Sequence, residues 1–333
     1  ALAEQHLFVN QVLVQRWMGR ANQVTERHAY VFLRVMTALL FIILAQDGRT
    51  LLTPELAASS PCVAEIQWVI ALTALFPATG AIAGAGILML YGMAIEKFGL
   101  FHMLDYPAFI GAAIYLMWMA ADRSAHVKAL AVLRAATALT LMVGATEKFG
   151  YPQWSFDLLR NYPVLTFGIQ DLEFYMVGAG LVEFALAYLV LFGRLSGGAG
   201  AGLLFMLMAS AILLFGWMDA VGHALFLAAL LVLMFSRNPV AEELERRLSE
   251  QLGRWDAAPS LRSDRVSAQQ HAHNGSAGGT ARNGQSWRGL LIRGVLSAAL
   301  FGLLVVGFVQ SYRAANLALT MCSTAADGSH LHR

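Results

Sequence analysis

Charge is scarce in this 333-residue chain: only 13% of its residues are Asp, Glu, Lys or Arg. Soluble domains carry roughly a quarter, so this composition does not supply an ordinary water-facing surface. The net charge of +2 leaves no basic excess to hold a phosphate backbone. The arginines border apolar runs instead of forming one patch, which argues against nucleic acid as a partner. There are only two cysteines, and Cys322 with His330 and His332 is a weak option for a metal, because a tail without fixed Cys/His spacing is poor evidence for a site. No CxxCH, zinc-type Cys/His spacing, nucleotide-binding loop or Gly-x-Ser-x-Gly occurs, and no metal site is read.

Hydrophobic residues make up 58% of the chain, and the mean hydropathy is +0.58. Several apolar stretches reach the ~20 residues that cross a bilayer as a helix, and their length leaves no case for a barrel. The reading is an all-α integral membrane protein whose first partner is the lipid bilayer. Nine spans are expected, at 29–46, 58–76, 81–101, 104–121, 128–147, 173–192, 198–217, 219–236 and 289–311. Residues 1–28 read as a polar, amphipathic lead-in without the pattern of a cleavable signal peptide. Residues 237–288 are charged, then rich in Ser, Gly, Asn and Gln, and read as a short surface helix followed by a disordered linker. A ninth span within 289–312 and a tail at 313–333 follow.

The spans repeat. Leu33, Arg34, Thr37, Ala38 and Leu39 return a hundred positions later as Leu133, Arg134, Thr137, Ala138 and Leu139, and the AGAGILM beginning at Ala83 echoes the AGAGLLF beginning at Ala199. Two tandem four-helix bundles related by internal duplication are therefore expected, repeat A at 29–121 and repeat B at 122–236. The second carries an aromatic, proline-containing connector at 148–172. With four helices each, the two halves run parallel, unlike the inverted repeats of many transporters.

Lys and Arg set the orientation. Arg16, Arg20, Arg27, Arg123, Lys128, Arg194 and Arg237 fall on the side of the N-terminus, against Arg49, Lys97, Lys148 and Arg160 on the other. The N-terminus and linker are expected in the cytoplasm, and the C-terminal tail in the periplasm. Cys62 and Cys322 then share the oxidising side, where a disulfide between them competes with two unrelated thiols.

An ionisable side chain inside the bilayer costs at least ~2.5 kcal/mol and is a functional candidate by default. Glu65 and Glu183 stand inside the second and sixth spans. At 1.5 Å per residue, Arg34 and Arg134 rise about 8–9 Å above the cytoplasmic helix ends and the glutamates about 14–16 Å. The expected buried ionic pairs are Arg34–Glu65 and Arg134–Glu183, with a proton relay or ligand site as the alternative. A denser set gathers at the periplasmic ends: Glu96, Lys97, His102, Asp105, Glu147, Lys148, Asp219 and His223, with Asp47. Tyr151 and Trp154, with Phe156, Tyr162 and Phe167, suit an interfacial flap over a flat amphipathic ligand such as a quinone head group, or an aromatic belt without one. Haem held by His102 and His223 is the weaker alternative to interfacial histidines.

Leu133-Arg134, Gly144-Ala-Thr-Glu-Lys148, and then a helix with internal Glu183 before Gly193 resemble the DoxX/DoxD family of four-helix membrane proteins. Leu33, Arg34 and Glu65 fit the same pattern, but Asp47-Gly48-Arg49 stands where the lysine is expected. The resemblance covers 29–121 and 128–236. It implies a bacterial inner-membrane protein that works with other membrane or periplasmic subunits of a redox or respiratory complex. One family member is a subunit of a thiosulfate:quinone oxidoreductase. The competing readings are a non-catalytic scaffold or accessory subunit, and a small-solute or ion transporter.

Overall fold

The computed structural model describes residues 12–58, 61–194, 196–257 and 287–330. Most of the expected linker, the start of the lead-in and the end of the tail lie outside the described residues. Twelve helices account for nearly all the rest: α1 (Val12–Asp47), α2 (Pro61–Ala74), α3 (Gly80–Phe98), α4 (Leu100–Met103), α5 (Pro107–Ala121), α6 (His126–Gly150), α7 (Phe156–Asn161), α8 (Leu172–Phe192), α9 (Ser196–Phe215), α10 (Trp217–Phe235), α11 (Pro239–Ala257) and α12 (Trp287–His330). Seven contain a segment long and apolar enough to cross a membrane; Cys62–Ala74 and Pro107–Ala121 are apolar but shorter. The chain is a multi-pass, all-α membrane protein.

Local chemistry sets the helix ends. Proline opens α2, α5 and α11, where its missing N–H costs nothing. Gly48, Gly99 and Gly216 follow α1, α3 and α9 with positive φ, a conformation that glycine adopts without steric penalty. The Asp171 carboxylate accepts from the Phe174 amide at 3.0 Å and caps the start of α8. Leu213, Met206, Phe76 and Leu303 on the outward faces are each more than 60% exposed, as helices facing lipid should be.

Each long helix packs on the next, α1 on α2, then α3, α5, α6, α8, α9 and α10, and α10 returns to α1. α12 lies outside this ring against α6 and α8. Glycines let helices approach closely. A Cβ on Gly84 would sit 2.5 Å from the Ala113 carbonyl oxygen of α5, and one on Gly111 would sit 2.5 Å from Ala136 Cβ of α6. Gly84→Ala is therefore expected to destabilise the protein by about 1–3 kcal/mol, read as a lower melting temperature in detergent. Gly92, with nothing within 4 Å, should take alanine without loss.

The structure revises several boundaries. α6 runs on to Gly150, and α12 continues through residues 313–330, which were expected as a separate tail. The connector between α6 and α8 holds two short 3-10 turns, Pro152–Ser155 and Pro163–Thr166, flanking α7. The charged run forms α11, laced by Arg246–Glu243, Arg246–Glu250 and Arg247–Glu243 pairs and tied to the bundle by Arg194–Glu245 at 3.5 Å.

Candidate functional site

Two ends of the bundle matter. At the end where α2, α8 and α10 finish, Arg34 and Arg134 are 4% and 2% exposed, and neither meets a glutamate among the described residues. Arg34 Nε donates to the Ala74 carbonyl at 2.8 Å, and its Nη2 donates to the Leu75 carbonyl. Arg134 Nη1 donates to the Val190 carbonyl at 3.0 Å. Its Nη2 reaches Ser236 Oγ at 2.8 Å and the carbonyls of Ser236 and Arg237, each at 3.2 Å. The last carbonyls of a helix have no intrahelical partner and carry its partial negative charge. The two guanidinium groups supply the missing donors. The expected Arg34–Glu65 and Arg134–Glu183 pairs are corrected accordingly.

At the opposite end, where α1 and α6 finish, Glu183 takes a different partner, Lys148. The two form an ion pair, with side chains 11% and 27% exposed respectively. Gly180 makes this possible, since a Cβ there would crowd Lys148 Cβ and the Ala145 carbonyl at 3.0 Å. Phe184, fully buried beside the pair, meets Phe149, Phe301 and Phe308 edge-on or tilted at 5.6–6.3 Å.

Glu147, next to Lys148, accepts a hydrogen bond from the Tyr312 hydroxyl of α12. The Tyr312 ring lies 4.7 Å from Phe101 and 6.2 Å from Tyr151. Tyr151 stacks on Trp154 at 4.5 Å with an 8° tilt. Asp105, in the turn between α4 and α5, joins the cluster. Burial, and then the charges of Glu147 and Glu55, push its carboxyl up to about 7. Its Oδ1 is buried without a hydrogen bond among the described residues. Tyr106 donates to the Glu55 carboxylate at 2.7 Å, and burial followed by that carboxylate raises its hydroxyl pKa.

The loop after α1 closes the same end. Thr50 and Ala57 form an isolated antiparallel bridge, and Leu51, Leu52 and Leu56 are at most 1% exposed. Fully buried Gln67 donates to the carbonyls of Thr50 at 2.6 Å and Leu51 at 2.9 Å, and Lys97 donates to the Ala57 carbonyl at 2.7 Å.

Of the site residues expected from sequence, Glu147, Lys148, Tyr151 and Trp154 come together. His102 lies beside the cluster, its ring 5.9 Å from both Phe98 and Tyr106. Glu96 is exposed on the outer turn of α3. Asp219 and His223 pair with each other on α10 at 3.3 Å. Cys62 is exposed at the start of α2, and the side chain of Cys322 lies outside the described residues. No group of three or more His, Cys, Asp or Glu is placed to hold a metal ion among the described residues. Glu55, Tyr106 and Tyr312 carry no short-range sequence signal for this site, because contacts spanning 51 and 165 residues bring them in.

A raised carboxyl pKa has a thermodynamic signature. The Asp105 carboxyl binds its proton more tightly folded than unfolded, so its stabilising contribution is full below about pH 4 and is lost as pH rises through about 7. Asp105→Asn should match the wild type in melting temperature at pH 4 and exceed it at pH 8 by several degrees, measured across a pH series.

Comparison with protein-family models, curated proteins and solved structures finds no match to this chain.

Proposed function

We propose that the chain is a DoxX/DoxD-like inner-membrane subunit of a redox or respiratory complex, and that the ends of α6 and α8 nearest Lys148 receive a quinone head group. The observation that carries this reading is the Lys148–Glu183 pair, next along the chain to Glu147, whose carboxylate bonds Tyr312 and acts on Asp105. A quinone supplies two-electron, two-proton chemistry when bound, and partner subunits supply the electrons. The residues present fit its head group: Lys148 is a cation able to donate a hydrogen bond to a carbonyl oxygen. The orphaned Asp105 Oδ1 belongs to a carboxyl whose pKa burial, then Glu147 and Glu55, raise well above the usual range. Tyr151 and Trp154 offer aromatic faces to a flat ring.

We also read the membrane body as two four-helix units in tandem, α1–α5 and α6–α10 without the short helices, with α12 as a ninth span. Three observations support the duplication. Arg34 and Arg134 serve the ends of the second helix in each unit. Thr37 and Thr137 are both fully buried. The last helix of each unit packs on the first helix of the other, α5 on α6 and α10 on α1. The Lys and Arg bias puts the Lys148 end in the periplasm.

A second reading, a non-catalytic scaffold, is favoured by the way both buried arginines are fully engaged with backbone carbonyls. Quinone content of the purified protein separates the two: the redox reading expects bound quinone that depends on Lys148, and the scaffold reading expects none.

A further inference from the structure

Glu65 and Glu183 both lie inside apolar helices, yet their surroundings differ. Glu183 meets Lys148, and the next residue, Phe184, is sealed under Phe301 and Phe308 of α12. Glu65 is exposed and makes no hydrogen bond or ion pair among the described residues. Where α6 supplies Lys148, the end of α1 supplies Gly48, and Arg49 on the adjoining loop makes no ion pair with the carboxylate. Glu65 heads an open groove of about 390 Å³ between α2 and α3, walled further in by Ile66, Val69, Ile82, Ala85 and Met89. A carboxylate at the mouth of an apolar, lipid-facing groove calls for a cation followed inward by an apolar surface.

The chain carries that complement. Arg313 is exposed on α12, directly after the Tyr312 that bonds Glu147, which places it at the Lys148 end of the bundle. It makes no hydrogen bond or ion pair among the described residues. Inward from Arg313, the open face of α12 presents Gln310, Gly307, Val306, Leu303 and Gly302, and a Cβ on either glycine would meet nothing within 4 Å. Small residues of this kind let transmembrane helices pack closely.

We propose that the α2/α3 groove receives α12 of a second copy of this chain, with Arg313 of that copy paired to Glu65. Charge sign, level in the membrane and the inward order of apolar residues match on the two surfaces. α12 rides on α6 and α8 whereas the groove lies between α2 and α3, so the contact is heterologous and builds a ring or a row of copies. The proposal is independent of the quinone reading, since it uses neither Lys148 nor Asp105.

The test combines cross-linking with particle mass, in a background where Cys62 and Cys322 are replaced by serine. One tagged copy carries Glu65→Cys, and a differently tagged copy carries Arg313→Cys. Oxidation in native membranes is expected to join the two tags in one disulfide-linked species. In mild detergent, Glu65→Arg and Arg313→Glu are each expected to weaken association at least tenfold, and the two combined in one chain to restore it. Each variant should melt within a few degrees of the wild type. A wild-type protein that is monomeric and fails to cross-link would overturn the proposal. So would a charge-reversed pair of folded single variants whose combination does not re-associate. Retention of an amine-headed phospholipid that Glu65→Gln releases, with no change in particle mass, would assign the groove to lipid instead.

Discussion

Arg134→Met is expected to cost about 3–5 kcal/mol, since each buried acceptor left without a donor costs about 1–3 kcal/mol. The guanidinium is 2% exposed and donates to three carbonyls and one hydroxyl at the ends of α8 and α10. Methionine fills much of the space but donates nothing, so several carbonyl groups lose their partner where water cannot replace it. Set against a typical total stability of about 5–15 kcal/mol, this change should lower the melting temperature steeply and reduce the monodisperse fraction after detergent extraction. Arg34→Met removes two hydrogen bonds instead of four, and a smaller loss is expected. Arg134→Lys should recover only part of the stability, because an ammonium cannot span the acceptors on two helices. A melting temperature for Arg134→Met close to wild type would show that these carbonyls find other donors.

The Lys148–Glu183 pair should behave as a unit. Lys148→Met leaves the Glu183 side chain without its cation at 11% exposure, and a loss of about 3 kcal/mol or more is expected. Glu183→Gln leaves Lys148, which is 27% exposed and able to reach water, so its cost should be smaller. The double substitution removes both charges and is expected to melt near the wild type, giving a coupling energy of a few kcal/mol in a double-mutant cycle. Additive losses in the double variant would mean that the two side chains do not interact appreciably. The cycle also supplies a folded protein without the pair, which is what a test of function needs.

The long apolar runs marked the helices, but the expected spans ran through Pro61, Gly99, Pro107 and Gly216, where the backbone chemistry of proline and glycine sets the ends. The amino-acid pattern also singled out Arg34, Arg134, Glu183 and Lys148, since charge in an apolar run is conspicuous. The partners were harder to read. Matching opposite charges by height paired the arginines with glutamates and overlooked the free carbonyls of the antiparallel neighbours, Ala74, Leu75 and Val190. Glu183 lies nine residues before the end of α8, about 14 Å along the helix axis as its place in the apolar run implied. Its partner was the part not legible, because Lys148 reaches inward from near the end of α6. Tyr312 joins the site through a helix that no local pattern ties to Glu147, and Asp105 gains its raised carboxyl pKa only when the fold brings Glu147 and Glu55 near it.

The proposed quinone site beside Lys148 and Glu183 is tested by quinone content, extracted from the protein purified in mild detergent from quinone-containing membranes and quantified per chain by chromatography. The wild type is expected to retain close to one quinone per chain. The Lys148→Met/Glu183→Gln double variant, folded and equally pure, is expected to retain less than a tenth of that. Equal quinone in both proteins, or none in the wild type, would rule out a quinone site at this pair.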